Sequence, residues 1–484
     1  MAHFFKSKKN KLAPTRANSR ITKAKSATIL SHNLEDISIV RLSDDGRGIA
    51  THNSKIIFIE NALPNEMIDV TIVQEKSKFY EGHAHKIKKK SNYRRLPQCL
   101  HFDVCGGCQL QHLDIKQQQD FKLSNVLNKL KHVGQIIPQN VLSTVAGDEF
   151  GYRQRVRLSV NITDRKVVLG FRKKSSKDLV EINDCSVMMP VLIAPIARIR
   201  HWLNKYQPSV SHIELIASDQ HIGLIVRHVL PVSVAIRQKL DELLEDPSII
   251  CCFQANKAQA LTSVKGHIFK PQLNFTLDLV LAETTKQLIY SYHPQDFIQA
   301  NAEVNQKMIN QALSLLQPSA SDTYLDLFCG MGNLSLPLSL SVKYVLGIEG
   351  SRNMVHQATS NASSNNCKNI NFMEADLFDR HTAERLVESD DLIDGIDGMI
   401  LDPPRAGAKL ICQNIRKLSP KKILYISCDS NTFVRDAQLL IENNYILEHL
   451  GILDMFAQTF HSEVMGLFVL KSKAHAKFPK RQIT

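Results

Sequence analysis

Long apolar runs are missing from this 484-residue chain. A membrane helix needs about 18 consecutive apolar residues. The longest candidate, Val191–Ala197, is far shorter and already holds Pro195. Acidic residues are missing from the start, where Glu35 is the first. Lys6, Lys8, Lys9, Lys11, Arg16, Arg20, Lys23 and Lys25 interrupt that stretch, leaving no apolar segment of a secretory signal, so a cytoplasmic protein with no membrane partner is expected. Internal repeats at a solenoid period are absent too. What the chain has in excess is positive charge: 60 Lys and Arg against 47 Asp and Glu, a net of +13, which favours a polyanionic partner. With 43% hydrophobic and 22% charged residues, neither wholesale disorder nor a fibrous repeat fits. A chain this long can bury a large core without disulfides, so its ten cysteines point to metal binding or catalysis where they cluster.

The length suggests two to four domains at roughly 100–200 residues each. Residues 1–27 read as a basic, solvated tail that can touch RNA phosphate. Residues 28–90 hold short β-branched runs, Ile37–Leu42, Ile56–Glu60 and Ile68–Val73, separated by turn signals at Asp44–Gly48 and Leu63–Glu66. That pattern predicts a small OB-like β-barrel. The block ends in Lys86, Lys88, Lys89, Lys90, Arg94 and Arg95, a basic edge suited to nucleic acid. Residues 91–290 form a central mixed α+β block with a helix over 113–130. Between Gly151 and Lys177 it carries nine basic residues and one acid. Arg153, Arg155 and Arg157 would share one face of a strand, either as a solvated edge or as phosphate contacts, and the overall charge favours RNA. Residues 291–484 alternate short apolar strands (324–328, 344–349, 398–401 and 423–427) with helical patterns. This predicts an α/β domain with a parallel, doubly wound sheet. The stretch Asp379–Asp397, with seven acids and two bases, reads as an exposed helix and loop.

Thr323-Tyr-Leu-Asp-Leu-Phe-Cys-Gly-Met-Gly-Asn333 runs from a strand through a glycine turn into a helix. Gly330 and Gly332 let the backbone turn tightly against a ligand. The third glycine of a dinucleotide fingerprint is replaced by Ser335, which disfavours a dehydrogenase. The pattern Asp326-x-Phe328-x-Gly330-x-Gly332 resembles the first motif of class I S-adenosylmethionine-dependent methyltransferases. Glu349 ends the next strand, where an acid can accept both ribose hydroxyls. Asp376 falls where the third strand should end, near the adenine.

Leu401-Asp402-Pro403-Pro404-Arg405 follows an apolar strand. The two prolines stop the ladder and present Asp402 at its carboxyl end, the edge where open α/β sheets bind ligands. Cys428 also follows a strand. Its polar neighbours Ser427, Asp429 and Ser430 argue for exposure in a cleft over burial as a small core residue. Asp-Pro-Pro-Arg and Ser-Cys-Asp together resemble the RNA uracil-5-methyltransferase family. The resemblance implies Cys428 as the nucleophile that adds to uracil C6, and Glu463, in Phe460-His461-Ser462-Glu463, as the base that removes the C5 proton. It further implies that Gln299, Phe328, Asn333 and Asp402 contact the cofactor, and that Phe297 packs by the target base. Such an enzyme needs its nucleotide flipped out or already unstacked.

Cys99, Cys105 and Cys108, with Gly106 and Gly107 between the last two, are followed 77 positions later by Cys185. Spacing alone leaves an iron–sulfur cluster and a four-thiolate zinc site level. The segment Cys-Leu-His-Phe-Asp-Val-Cys-Gly-Gly-Cys-Gln resembles that of the bacterial 23S ribosomal RNA uracil-5-methyltransferases. The resemblance implies a [4Fe-4S] cluster held by Cys99, Cys105, Cys108 and Cys185, with no evident part in methyl transfer. It covers nearly the whole chain, from a barrel similar to a TRAM domain to Glu463. It implies a class I methyltransferase (Rossmann-like) catalytic domain, S-adenosylmethionine as cofactor, 23S ribosomal RNA as partner and a monomer. The tRNA uracil-54 methyltransferase matches the catalytic block alone. An inactive RNA-binding assembly factor is opposed by the intact Cys428, Glu463 and glycine loop.

Overall fold

The structure is a computed structural model and describes residues 32–163, 166–255, 260–281, 284–382 and 395–471. The basic tail and most of the acidic stretch, 383–394, lie outside these residues. Two compact units are present, Met1–Arg41 with Arg47–Lys90 and Leu42–Gly46 with Ser91–Thr484. Among the described residues no helix is long and apolar enough to cross a membrane.

The first unit is built on β1 (His32–Ser38), β2 (Arg41–Leu42), β3 (Gly48–His52), β4 (Lys55–Glu60), β5 (Met67–Glu75) and β6 (Phe79–Lys89), in the order β1-β5-β6-β4-β3-β2. Alternation sets its core. Ile57 and Ile59 from β4 and Ile68, Val70 and Ile72 from β5 are fully buried, while their neighbours along the strand are more exposed, apart from the buried Asp69. Each such side chain contributes about 1.5–3 kcal/mol by leaving water. Lys88 ties β6 across the sheet, 2.9 Å from Asp69 and 2.8 Å from Asp36.

In the second unit, the helix Ile115–Lys129 and the short β7 (Asn140–Val141) come first in the chain. Next are β8 (Arg155–Thr163), β9 (Lys166–Arg172), β10 (Leu179–Glu181), β11 (Val210–Ala217), β12 (Ile222–His228), β13 (Ile249–Ala255), β14 (Leu261–Thr262) and β15 (Ile268–Phe269). They form one sheet in the order β10-β9-β8-β11-β12-β13-β14-β15. The basic stripe expected on its first strand is partly used inside the protein. Buried Glu214 of β11 lies 3.4 Å from Arg155, 3.6 Å from Arg157 and 3.1 Å from Arg227. Burial alone would raise that carboxyl, but the Arg227 hydrogen bond and the surrounding guanidiniums hold it below its usual range. Two of the three arginines read as phosphate contacts therefore also serve an internal ion cluster.

A hairpin of β16 (Leu273–Leu281) and β17 (Thr284–Tyr292) leads to the second large sheet. This sheet holds β18 (Thr323–Leu327), β19 (Tyr344–Glu349), β20 (Ile370–Glu374), β21 (Gly398–Leu401), β22 (Lys422–Ser427), β23 (Tyr445–Leu453) and β24 (Glu463–Leu470). The order is β20-β19-β18-β21-β22-β24-β23-β7. Strands β18 to β22 run parallel, as the apolar runs with helices between them predict, whereas β24 inserts antiparallel between β22 and β23. The chain reverses sheet direction between β18 and β21, so a ligand crevice opens there at the carboxyl ends.

The helix Ile115–Lys129 packs on this second sheet through Gln118, Lys122 and Val126, four residues apart and all buried. Lys122 Nζ lies 2.6 Å from the buried Asp454 and donates to the Phe456 carbonyl at 3.0 Å. Gln118 and Gln458 exchange hydrogen bonds at 3.0 Å. The polar stripe thus holds the bend of residues 454–462 that leads into β24.

Candidate active site

The glycine turn leaves β18 through three positive φ angles, Phe328 at 64°, Gly330 at 57° and Gly332 at 88°. A phenylalanine in the left-handed region is strained, and such strain concentrates at functional sites. A Cβ on Gly332 would stand 2.4 Å from Leu336 Cδ1, so this glycine is needed for space as well as for its angle. Ser335, in place of a third glycine, donates its hydroxyl to the buried Asp326 and ties strand to helix. Burial pushes Asp326 up to about 7, with Asp402 and Glu349 adding to the effect.

Glu349 ends β19 and receives the Gly330 N–H at 3.2 Å and the Ser351 N–H at 2.9 Å, so the loop backbone fixes its carboxylate. Asp376 follows β20 and accepts the Phe378 N–H at 2.9 Å. The rings of Phe328 and Phe378 meet at 5.7 Å. Asn333 and Asn305 pair through both amide groups, at 2.9 and 3.1 Å. The Tyr290 hydroxyl of β17 donates to the Gly332 carbonyl at 3.2 Å. Sequence reasoning missed Asn305, Tyr290 and Phe378. Asn301, which caps the following helix by accepting the Val304 N–H at 3.1 Å, was a usable signal for Asn305 one turn later. The other two come from distant segments and had none.

Asp402 is half-buried at the end of β21, and burial pushes its carboxyl up to about 7. Cys428 follows β22 and is the one exposed cysteine of the ten. Asp429 caps the next helix, accepting N–H groups of Asn431 at 2.8 Å and Thr432 at 3.1 Å, which fixes the chain beside the thiol. The Cys428 thiol is held above its ordinary value by partial burial and by Glu463 and Asp402, with Arg405 pulling the other way.

Strand register brings Glu463 to this cysteine. Ser427 of β22 pairs with Val464 of β24. The next rung outward is therefore Cys428 opposite Glu463, and opposed residues of an antiparallel pair share a face with Cβ atoms roughly 4.5–5.5 Å apart. Read alone in the sequence, Glu463 is as easily an exposed charge near a strand; in the fold it is buried. Its Oε2 has no hydrogen-bond partner, and burial with the nearby Asp402 pushes the carboxyl up to about 8.

All nine residues named for catalysis, cofactor and base line one cavity of about 740 Å³: Phe297, Gln299, Phe328, Asn333, Glu349, Asp376, Asp402, Cys428 and Glu463. Phe297 is 70% exposed there, so it is not a core aromatic. Gln299 accepts the Gln154 amide at its backbone oxygen, 2.7 Å away.

A second cavity of about 720 Å³ is lined by Cys99, Cys105, Cys108 and Cys185, with Arg153, Arg157, Arg172, Lys173 and Lys177 around them. Burial pushes Cys108 up to about 12 and Cys185 to about 11, and each is raised further by the other cysteines. The Gly107 N–H points at Cys105 Sγ, 3.4 Å away. Among the described residues no three His, Cys, Asp or Glu side chains converge on a point that would hold a single metal ion. The bend of residues 454–462 also reaches this segment, since Gln109 and Leu110 both donate to the Gln458 carbonyl at 3.0 Å.

Comparison with known proteins gives the family. The sequence pattern of the tRNA (Uracil-5-)-methyltransferase family matches residues 147–472, and that of the TRAM domain matches 35–85. A 23S rRNA (uracil(1939)-C(5))-methyltransferase RlmD of Shewanella halifaxensis is 35% identical over 98% of this chain and 100% of its own length. Its namesakes in Aliivibrio salmonicida (36%, 97% and 100%) and Legionella pneumophila strain Lens (34%, 89% and 96%) are similar. Among solved structures, the Pyrococcus abyssi tRNA (uracil-54, C5)-methyltransferase in complex with S-adenosyl-L-homocysteine shares the fold. Its TM-score is 0.66 at 22% identity, covering 90% of this chain and 100% of that one. With its class I methyltransferase sheet, its glycine turn and its TRAM domain, the chain belongs to the S-adenosylmethionine-dependent uracil-5-methyltransferase family.

Proposed function

We propose that the protein methylates C5 of a specific uracil in 23S ribosomal RNA, acting as a monomer in the cytoplasm. The observation that carries this reading is that Cys428 and Glu463 line one cavity with the glycine turn, where Glu463 acts on the Cys428 thiol. The RlmD relatives support the ribosomal substrate over a transfer RNA.

Cys428 loses its proton and adds through Sγ to uracil C6, and the ring electrons collect at C5 as in an enolate. S-adenosylmethionine supplies the methyl group from its sulfonium. Glu463 then takes the C5 proton, the C5–C6 double bond re-forms and the Cys428 thiolate leaves. A carboxylate with its affinity raised to about 8 is a stronger base than an ordinary glutamate. Glu349 holds the ribose and Asp376 the adenine end. Gln299, Phe328, Asn333 and Asp402 complete the cofactor contacts, and Phe297 packs against the flipped base. The amide pair with Asn305 fixes how Asn333 is presented.

Cys99, Cys105, Cys108 and Cys185 hold a [4Fe-4S] cluster in this reading. Their shared cavity and the backbone N–H facing Cys105 suit thiolates whose charge iron neutralises. The basic rim of that cavity suits RNA phosphate.

The test mixes protein with S-adenosylmethionine and 23S RNA fragments carrying 5-fluorouracil, whose C5 has no proton to lose. A covalent adduct is expected with the wild type and none with Cys428→Ala; an undiminished adduct in the variant refutes the mechanism. A panel of RNA fragments read by mass spectrometry locates the uracil. Iron and zinc analysis of anaerobically purified protein separates a cluster from a zinc site.

A further inference from the structure

The cavity holding Cys428 is acidic, although the chain as a whole carries +13. Asp219, Glu349, Asp376, Asp402 and Glu463 line it against one cation, Arg405. Two of these carboxyls stand uncompensated. Glu463 is buried and its Oε2 is without a partner. Among the described residues, Asp402 has no ion-pair partner. Both act on the Cys428 thiol. A buried carboxylate without a partner is costly, and a cation placed beside it removes that cost.

The methyl donor brings such a cation in its sulfonium. The methyl must reach uracil C5, and C5 is bonded to the carbon that Cys428 attacks. A sulfonium placed to reach that carbon would share the cavity with Cys428 and with both carboxyls that act on its thiol. The demethylated product is a neutral thioether in the same place. We propose that Asp402 and Glu463 discriminate the charged methyl donor from its neutral product, and that the donor binds with release of a proton from this pair. The inference rests on the methyltransferase reading of the site and not on which RNA is modified.

The direction follows from the two carboxyls. In the free protein burial pushes Asp402 to about 7 and Glu463 to about 8, so near neutral pH the pair retains protons. A sulfonium favours the ionised forms and expels a proton. The thioether does not, so after methyl transfer the pair draws protons back. This makes Glu463 a stronger base at the step where C5 must lose its proton, and it loosens the spent cofactor. The other titratable or charged groups around the pair are Asp326, Glu349, Cys428 and His461, with Arg405 opposing the carboxylates.

Calorimetric titration of the full-length protein without RNA tests this, using S-adenosylmethionine and S-adenosylhomocysteine from pH 6 to 9 in buffers of different ionisation enthalpy. Donor affinity is expected to rise toward pH 8, by up to about tenfold per pH unit for each proton released. The product carries an amino group but no sulfonium, so its affinity should follow pH only as that amino group titrates. In Asp402→Asn/Glu463→Gln the donor's slope should shrink to that of its own amino group, and its preference over the product should fall. Equal slopes for both ligands in the wild type, or an undiminished slope in the double variant, overturn the proposal. Should the double variant fail to fold, Asp402→Asn alone must lower the proton count, and an unchanged count has the same force. Failure to form 5-methyluridine in ribosomal RNA would strike the substrate assignment and leave this result standing.

Discussion

The two cavities of the second unit present cysteine in opposite settings. Cys428 is exposed at a strand end, opposite a glutamate and beside a helix cap. Cys99, Cys105, Cys108 and Cys185 line one cavity within a basic rim, Cys105 buried and the other three half-buried. A sulfur that attacks carbon must be reachable and must leave again, so it needs an open side and a base within reach. A sulfur that ligates must be shielded, and its charge is met by metal and by backbone N–H groups. In the proposed reading the same side chain takes either role from its surroundings.

The largest expected effect breaks the first setting. Cys428→Ala should lower methylation by on the order of 10⁴-fold and abolish the adduct. Because the residue is exposed, stability should change by no more than about 0.5 kcal/mol, as a denaturant melt would show. Glu463→Gln should slow turnover by roughly 10²–10⁴-fold. It should leave the addition step intact, so the RNA–protein adduct accumulates on a denaturing gel. In the wild type, kcat/KM should rise as pH climbs toward about 8 and Glu463 ionises, then level off. A profile flat from pH 6 to 9 would remove Glu463 from the base role.

Lys122→Ala strikes the bend that serves both cavities. It strands Asp454 as a buried, unpaired charge and should cost about 3–5 kcal/mol in a urea melt. Lys122→Met, which keeps more of the volume, should cost less when paired with Asp454→Leu than alone. The smallest effect on chemistry is expected from Cys185→Ser. It should lower iron content from about four per chain while adduct formation at Cys428 persists. An unchanged pH profile in that variant would mark the cavities as independent; a shifted one would mean that the bend through Gln458 transmits the change.

Much of the catalytic end was legible because it rests on local rules. Pro403 and Pro404 stop a strand and expose Asp402, and a polar trio after an apolar run marks Cys428 as presented to a cleft. The strands 344–349 and 398–401 were expected to the residue, since continuous apolar runs between helical patterns have few other readings. What escaped depends on partners far along the chain. The antiparallel insertion of β24 makes Glu463 a buried residue, and no local pattern near it reveals the neighbouring strand. Arg155 and Arg157 read as RNA contacts until Glu214, more than fifty residues later, takes a share of them. Tyr290 supports the glycine turn from a hairpin whose alternation fits an ordinary sheet. The helix Ile115–Lys129 was legible as a helix, but its inward stripe holds Gln118 and Lys122, residues that a hydrophobicity rule assigns to solvent.

The placement of Glu463 on a backbone ladder has a consequence for how the protein can change. The proposed nucleophile and base, Cys428 and Glu463, keep their spacing through main-chain hydrogen bonds between β22 and β24, so most side chains around them are free to drift. A shift of that ladder by a single residue, however, would turn Glu463 to the opposite face and put Val464 before the thiol. Insertions and deletions between Tyr445 and Glu463 are therefore tolerable only where the bend can absorb them without moving the strand. Length variation in this stretch should be far rarer than substitution.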